Sequence, residues 1–376
     1  MLIMTLIWIF LIILNPLFNK KMYKYYLCLI VILYSFMAYH VKFTENMDIA
    51  RVVQSMKYWY YNDFFYFLNN KMDMDPLSAL YYYIIGLTGD YHLIPAISIL
   101  ISYGFSMALI YKVSKYFKLS KLEMNICTFI FLSNFVFFYA LSNIRIYMCY
   151  TIIAYFIYME LIENKYHKRA IIFYTMAIFF HYACLPFILI RIILIGYKKR
   201  TLKRDVLILM GIILLTQIEN ILSFLNPTSG ILHTIYYKLS RYSRYETFGI
   251  EYFFNSMIKV CGILFTYFTF SNSFIKYKLN ERKFLYYVLL VNITFFLMIL
   301  NYQFVLRVPN MMILFWIVMM AMMFFKKKEV FFKSPNSYNI VLKNTKIVVI
   351  CTILVSIFNI LFDIKYIIIR NIFFEF

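Results

Sequence analysis

Long apolar runs, separated by short polar or basic stretches, dominate the pattern of the chain. A helix that crosses the hydrocarbon core of a bilayer needs about 20 mostly apolar residues. Candidate spanning or short re-entrant segments are approximately residues 2–18, 23–39, 77–88, 92–112, 122–141, 145–162, 170–196, 205–218, 253–271, 284–301, 308–325 and 347–364. The pattern predicts an all-α polytopic membrane protein with about 12–14 transmembrane or re-entrant helices, forming a single integral membrane domain over residues 1–376.

The composition excludes a water-soluble globular protein. Hydrophobic residues make up 64% of the chain and charged residues only 15%, whereas soluble domains contain about 45–50% and about 25%, respectively. The excess apolar surface must face a solvent other than water. The lipid bilayer is therefore the expected environment.

Basic residues are in excess, with 38 Lys and Arg against 17 Asp and Glu. Many of them concentrate in six stretches, at about residues 20–24, 112–121, 165–169, 198–204, 276–283 and 326–346. The predicted order of spans places all six stretches on one side of the membrane, which the positive-inside rule identifies as cytoplasmic. This distribution argues against nucleic acid as a partner.

The opposite side is predicted to carry the two larger extracytoplasmic loops, at about residues 40–76 and 219–252. Long loops on a rigid scaffold are frequent positions for binding and catalytic residues. We therefore expect the functional site on the extracytoplasmic side.

One predicted segment is too short for two crossings. Only about 28 residues separate Arg169 from Lys198, both predicted to be cytoplasmic, whereas two full crossings need about 40. The chain must turn back early, near His181 and Pro186. Non-helical backbone at this depth is tolerated only inside the protein or along a water-filled cavity, so His181 is predicted to line a cavity.

Two arginines, Arg145 and Arg307, begin predicted spans on the extracytoplasmic side. Arg145 is either an anchor at the membrane interface or a ligand for an anion such as phosphate, which the guanidinium fork binds in a bidentate manner. Ser142 and Asn143 are predicted to cap the following helix, whose N-terminus also favours an anion.

Arg241, Arg244 and Tyr245 lie in the second predicted loop, where tyrosines alternate with basic residues. In a helix, Arg241 and Arg244 share one face. Two interpretations are open. Either the aromatic rings stack on sugars while the arginines hold phosphate, or the segment is an amphipathic helix on anionic lipid.

The first predicted loop contains two pairs of charged residues that could carry chemistry. Asp48 and Arg51 form either a surface ion pair or a general base kept ionised by its neighbour. Asp73 and Asp75 have the spacing of a divalent-metal site for a nucleotide sugar, but nucleotide sugars are cytoplasmic and this loop is predicted to lie outside. We therefore expect no metal. The chain also lacks the GxxxxGK[ST], GxGxxG, HExxH and GxSxG motifs, so no cofactor is expected.

Three runs in the middle of the chain follow one another in a distinctive order. They are 138–145, which ends in Arg145, the charged turn 163–169, and 177–183, which contains His181. This order resembles the EpsG-like group of Wzy-type polysaccharide polymerases. Asp48-x-x-Arg51 in the first loop and Arg307 before a late span also fit the layout of that family.

The resemblance implies a glycosyltransferase of the bacterial inner membrane that polymerises O-antigen, a part of lipopolysaccharide, or exopolysaccharide. Such an enzyme joins oligosaccharide repeat units on the extracytoplasmic side without a metal. Each unit is carried on undecaprenyl diphosphate, so these lipid-linked glycans are the implied partners, with a separate chain-length regulator as a further candidate.

The resemblance also assigns roles to individual residues. The implied catalytic residues are Asp48, His181 and Arg145, with Asp48 and His181 preferred over Glu251 as the general base. The implied ligands of the diphosphate and the sugars are Arg51, Arg241, Arg244, Tyr245 and Arg307.

Three alternatives are open. A polyprenyl-phosphate-dependent glycosyltransferase that adds a single sugar would use Asp73 and Asp75 with a metal. A lipid-linked oligosaccharide flippase or transporter would need polar groups along its spans and internal repeats, and no repeat is evident. An O-antigen ligase differs from a polymerase only in its acceptor.

Overall fold

The computed structural model describes the chain in segments. The described residues are 10, 11, 14, 17–42, 48–59, 75–135, 137–195, 206, 210, 211, 250–271, 277–299, 302–333 and 335–370. All regular elements among them are helical, and none is a strand. The predicted all-α class is confirmed.

Thirteen helices and one 3₁₀ turn form the described part of the chain. The first nine helices are α1 (Tyr23–Tyr39), α2 (Asp48–Trp59), α3 (Pro76–Gly86), α4 (Leu93–Tyr116), α5 (Lys121–Asn134), α6 (Phe137–Ser142), α7 (Ile144–Leu161), α8 (His167–Phe180) and α9 (Leu185–Ile193). The 3₁₀ turn Tyr182–Cys184 lies between α8 and α9. The last four helices are α10 (Ile250–Ser271), α11 (Leu279–Leu297), α12 (Tyr302–Lys333) and α13 (Pro335–Arg370).

Five of the described helical segments are long and apolar enough to cross a membrane. They are Leu93–Tyr116, Ile144–Leu161, Phe253–Ser271, Arg307–Phe331 and Tyr338–Phe362. Two shorter apolar segments, Tyr23–Tyr39 and Tyr182–Ile193, accompany them. These helices indicate a membrane-embedded protein, whereas the total of about 12–14 helices stays a prediction, because the predicted segments 2–18 and 205–218 lie almost entirely outside the described residues.

The predicted span 122–141 is two helices in the structure. Helix α5 ends at Asn134, and α6 begins at Phe137. Phe135 between them is buried and extended, and its ring stacks on that of Phe131 with centroids 4.7 Å apart. The apolar run is continuous in sequence, but the helix ends where the backbone of Phe135 becomes extended.

The first predicted loop also contains a helix. In α2, the side chains of Ile49, Val53 and Met56 are buried and recur at helical spacing. They form an apolar face, and α2 packs against α3 and α6. Of the second predicted loop, 219–252, the structure describes only the backbone from Ile250, which is already the start of α10.

Helix α12 lies at the centre of the bundle. It packs against α4, α5, α7, α10, α11 and α13, and the side chains of residues 311–324 are all buried. A helix that is apolar on every side is typical of the interior of a large bundle. The central position of α12 brings polar side chains near its start close to several other helices.

Residues predicted to be cytoplasmic meet at one end of the bundle. There, Lys326 of α12 forms an ion pair with Glu281 of α11 at 3.1 Å. At the opposite end, the Tyr39 hydroxyl of α1 donates a hydrogen bond to Asp90, which precedes α4, at 2.8 Å. We call the lysine-rich end the inner end and the opposite end the outer end. The described helices run in directions that bring the lysine-rich stretches to the inner end, which is the arrangement that the positive-inside rule requires.

Gly262 allows a close approach of α10 to α12. A methyl group at this position would lie 2.8 Å from Cη2 of Trp316. The indole has little room to move, because it is fully buried and its Nε1 donates a hydrogen bond to Thr266 at 2.9 Å.

We expect Gly262→Ala to lower the free energy of unfolding by about 1–3 kcal/mol, because the added methyl group overpacks this contact. Thermal unfolding of the purified protein in detergent measures the effect. Gly104→Ala is the matched control, because a methyl group there meets nothing within 4 Å. Equal stability of Gly262→Ala and the wild-type protein would contradict the expectation.

Candidate functional site

Arg145 forms an ion pair with Asp75 at the outer end of the bundle. The Nη1–Oδ2 distance is 3.5 Å, and the side chains are 29% and 5% exposed, respectively. Asp75 occupies the N-cap position of α3, but its side chain does not accept a hydrogen bond from the first turn of that helix. The carboxylate instead lies next to the guanidinium of α7. A charged pair therefore joins the starts of two helices that are distant in sequence.

The first turn of α7 is not capped as predicted. Asn143 is the N-cap residue, but its side chain makes no capping hydrogen bond. Its amide donates to the carbonyl of Tyr139 (3.4 Å) and to the Ser142 hydroxyl oxygen (3.1 Å), while the Ser142 hydroxyl donates to the same carbonyl (3.3 Å). Both side chains thus hold the end of α6. An anion at the start of α7 remains favourable because of the helix dipole.

The early turn predicted near His181 is confirmed. Helix α8 ends at Phe180, the 3₁₀ turn Tyr182–Cys184 follows, and α9 starts at Leu185 with Pro186 in its first turn. Proline is favoured there because its missing N–H is not needed and its fixed backbone angle suits a helix start. Two short helices therefore form a hairpin with its tip on the outer side.

His181 stabilises the tip of this hairpin. Its side chain is buried, with 8% of the residue exposed, and its Nδ1 accepts a hydrogen bond from the backbone N–H of Ala183 at 3.1 Å. A neutral imidazole that accepts at Nδ1 carries its proton on Nε2. In this state His181 offers a hydrogen-bond donor from Nε2. The contact also shows a structural role that the sequence did not indicate.

Asp75 also lies beside the tip of the hairpin. Its charge acts on the side chains of Tyr182 and Cys184. Cys184 contacts Cys149 of α7, one turn after Arg145. The ion pair, His181 and the 3₁₀ turn therefore occupy one region.

Arg307 is connected with this region through a tyrosine of α7. Its charge acts on the buried Tyr150 of α7, and Tyr150 in turn interacts with Cys184. As predicted, Arg307 begins a candidate membrane span, Arg307–Phe331; this span lies within α12, which starts at Tyr302 and continues through Pro309. Arg307 is therefore linked to the 3₁₀ turn through Tyr150, whereas Arg145 is linked to it through Asp75. We call Asp75, Arg145, His181 and Arg307 the outer cluster.

Other predicted site residues cannot be placed in this cluster. Asp48 and Arg51 lie on the backbone of α2, which packs against α3 and α6, but their side chains are outside the described part of the structure. The same holds for the side chain of Glu251 in α10. Residues that lie wholly outside the described segments are Arg241, Arg244 and Tyr245. Their roles stay predictions.

The structure also reveals charged groups that the sequence analysis did not select. Asp75 was considered only as half of a metal pair, yet it is the partner of Arg145. Lys259 is buried in the middle of α10, and Glu160 is buried near the end of α7. A charged residue inside an apolar run is itself a signal of a functional or paired group, so this rule would have found Lys259 and Glu160.

A metal site was not expected from the sequence. Within the described segments, no group of three or more His, Cys, Asp or Glu side chains lies close enough together to hold a metal ion. The polar groups of the outer cluster are instead two guanidiniums, one carboxylate and one imidazole. Arginine keeps its charge inside proteins and matches phosphate geometry with two parallel donors. The guanidinium of Arg145 can hold a phosphorylated group next to the carboxylate of Asp75.

Comparisons with known proteins add no identification. No family model matches the chain, and neither a curated protein nor a solved structure is significantly similar to it. The resemblance to EpsG-like polymerases therefore rests on the short motifs alone.

Proposed function

We propose that this chain is a membrane glycosyltransferase that polymerises oligosaccharide repeat units carried on undecaprenyl diphosphate, on the extracytoplasmic side of the bacterial inner membrane. One observation carries the proposal: Asp75 and Arg145 form an ion pair at the outer end of the bundle, and the charge of Asp75 acts on Tyr182, the residue after His181. Charged groups inside an apolar bundle are costly, and they usually serve binding or catalysis.

The leaving group of the reaction accounts for the arginines. Glycosyl transfer breaks the bond between the anomeric carbon and the diphosphate oxygen, so negative charge develops on the diphosphate. Fixed cationic donors stabilise that charge where it develops, without reorganisation of solvent. Arg145 and Arg307 supply such donors, and the first turn of α7 adds a favourable dipole.

The acceptor hydroxyl requires a general base. Asp75 is assigned this role, because its buried carboxylate lies next to Arg145 and an adjacent cation favours its ionised form. It takes the proton while the hydroxyl oxygen attacks the anomeric carbon, and undecaprenyl diphosphate leaves. His181 serves as a hydrogen-bond donor through Nε2 rather than as the base. Asp48 stays a candidate from the sequence.

Deletion of the gene in its host tests this proposal directly. We expect the ladder of surface polysaccharide on a gel to collapse to a single repeat unit, because units are still made and exported but are no longer joined. Expression of the wild-type chain should restore the ladder. An unchanged ladder would overturn the proposal, and accumulation of lipid-linked units facing the cytoplasm would identify a flippase instead.

A further inference from the structure

Lys259 places an ionisable amine deep in the bundle. The residue is 1% exposed and lies within an apolar helix that is long enough to span the membrane. Its Nζ is 3.3 Å from Oδ1 of Asn310 in α12, which is itself 2% exposed. A charge at such a position is costly and commonly marks a substrate or ion site.

Asn310 connects Lys259 with the outer cluster. Its Nδ2 donates a hydrogen bond to the hydroxyl of Tyr147 in α7 at 2.6 Å. It also lies three residues after Arg307, so the two side chains are neighbours on one face of α12. Tyr147 is three residues before Tyr150, the tyrosine on which the charge of Arg307 acts. Lys259, Asn310 and Tyr147 therefore form one buried hydrogen-bonded group between α7, α10 and α12, and Arg307 lies about one turn before Asn310 on the same helix.

On the inner side of this buried group, α10 and α12 are in close contact at Gly262 and Trp316. Gly262 lies one turn after Lys259, towards the inner end of α10. The indole of Trp316 packs so closely against Gly262 that an added methyl group would be 2.8 Å from a ring carbon. Close packing at Gly262 leaves no room for a ligand to reach Lys259 from the inner end. A ligand of Lys259 is expected to approach from the outer end.

We propose that Lys259 and Arg307 together bind the diphosphate of the polyprenyl-linked donor, with Asn310 orienting the ammonium group of Lys259. The inference rests on the proposed function and names the part of the substrate that these residues hold. A diphosphate has two anionic phosphoryl groups. A site with two cations on neighbouring helices therefore fits a diphosphate better than it fits a ligand with a single negative charge. Lysine binds phosphate as a point charge, whereas arginine adds a directional fork.

Binding of farnesyl diphosphate to the purified full-length protein tests this inference. The protein is placed in nanodiscs of phosphatidylcholine, and the dissociation constant is measured by calorimetry, with farnesol as the control that lacks the diphosphate. We expect Lys259→Met to weaken binding by about 10–100-fold, the effect of losing one charged hydrogen bond. Arg307→Gln should weaken it by a similar factor. Lys115→Met, at an exposed lysine near the inner end of α4, should leave binding unchanged.

The possible results separate this inference from the proposed function. Wild-type affinity in both Lys259→Met and Arg307→Gln, or no binding by the wild-type protein, would overturn the inference even if gene deletion collapses the polysaccharide ladder. Binding that depends on Lys259, together with an unchanged ladder after deletion, would support the diphosphate site and reject the polymerase. Competition by inorganic pyrophosphate would show that the diphosphate is recognised rather than the prenyl chain. Competition by phosphatidylglycerol alone would identify a lipid headgroup site and contradict the inference.

Discussion

Replacement of Arg145 by alanine is expected to lower the rate of polysaccharide polymerisation by about 10²–10³-fold, the usual effect of removing one fixed donor that stabilises developing charge. The variant loses a cation next to the leaving diphosphate, and it also leaves the carboxylate of Asp75 buried without its 3.5 Å partner. Chain length on a gel and the rate of repeat-unit transfer in isolated membranes measure the effect.

Two further variants distinguish a catalytic role of Arg145 from a structural one. Arg145→Lys keeps the charge but loses the two parallel donors, so we expect it to recover part of the rate. Asp75→Asn should reduce the rate while the neutral side chain keeps its shape. Arg169→Ala, at an exposed arginine of α8, is the matched control. Normal chain lengths from stably expressed Arg145→Ala protein would reject the role of Arg145 as a diphosphate ligand.

Replacement of Glu160 by alanine is expected to lower the free energy of unfolding by about 3–5 kcal/mol, because it leaves a buried cation without its partner. Oε2 of Glu160 lies 2.9 Å from Nε of Arg191 and accepts a hydrogen bond from the Tyr174 hydroxyl at 2.7 Å. These contacts tie α8 and α9 to the inner end of α7. Their loss should loosen the hairpin whose tip carries His181.

Thermal unfolding in detergent, together with the polymerisation assay, measures both consequences of Glu160→Ala. The matched control is Lys165→Ala, because the Lys165 side chain is 60% exposed in its ion pair and exposed pairs contribute little. Unchanged stability of Glu160→Ala would show that the ion pair does not hold the hairpin. A stability loss without any change in activity would show that the tip is positioned by other contacts.

The position of the hairpin turn could be predicted from the sequence, because it follows from the number of residues between two basic stretches. Two crossings do not fit between Arg169 and Lys198, and the chain must therefore reverse near His181 whatever its neighbours are. The capping of α7 could not be predicted in the same way. Asn143 has the residue type of an N-cap, but its side chain bonds to the preceding helix α6. Asn143 could form hydrogen bonds either with the start of α7 or with the end of α6. Both possibilities are local, so the sequence alone does not show which one forms.

The partner of Arg145 was beyond the reach of sequence reasoning. Asp75 begins a different helix, far away in the chain, and the pairing depends on how α3 and α7 pack. The same limit applies to Lys259 and Asn310, which lie on α10 and α12. Hydropathy marks each of these residues as unusual within or beside an apolar run. It does not say which polar groups meet.

The sequence by itself determined that this chain is helical, that it belongs in a membrane, and that it reverses early at His181. These properties follow from apolar content and from the thickness of the hydrocarbon core, which act on each segment separately. Only the tertiary structure decided that Asp75 pairs with Arg145 and that Lys259 meets Asn310. Such contacts arise between helices, so they depend on packing angles and rotations that no single segment encodes.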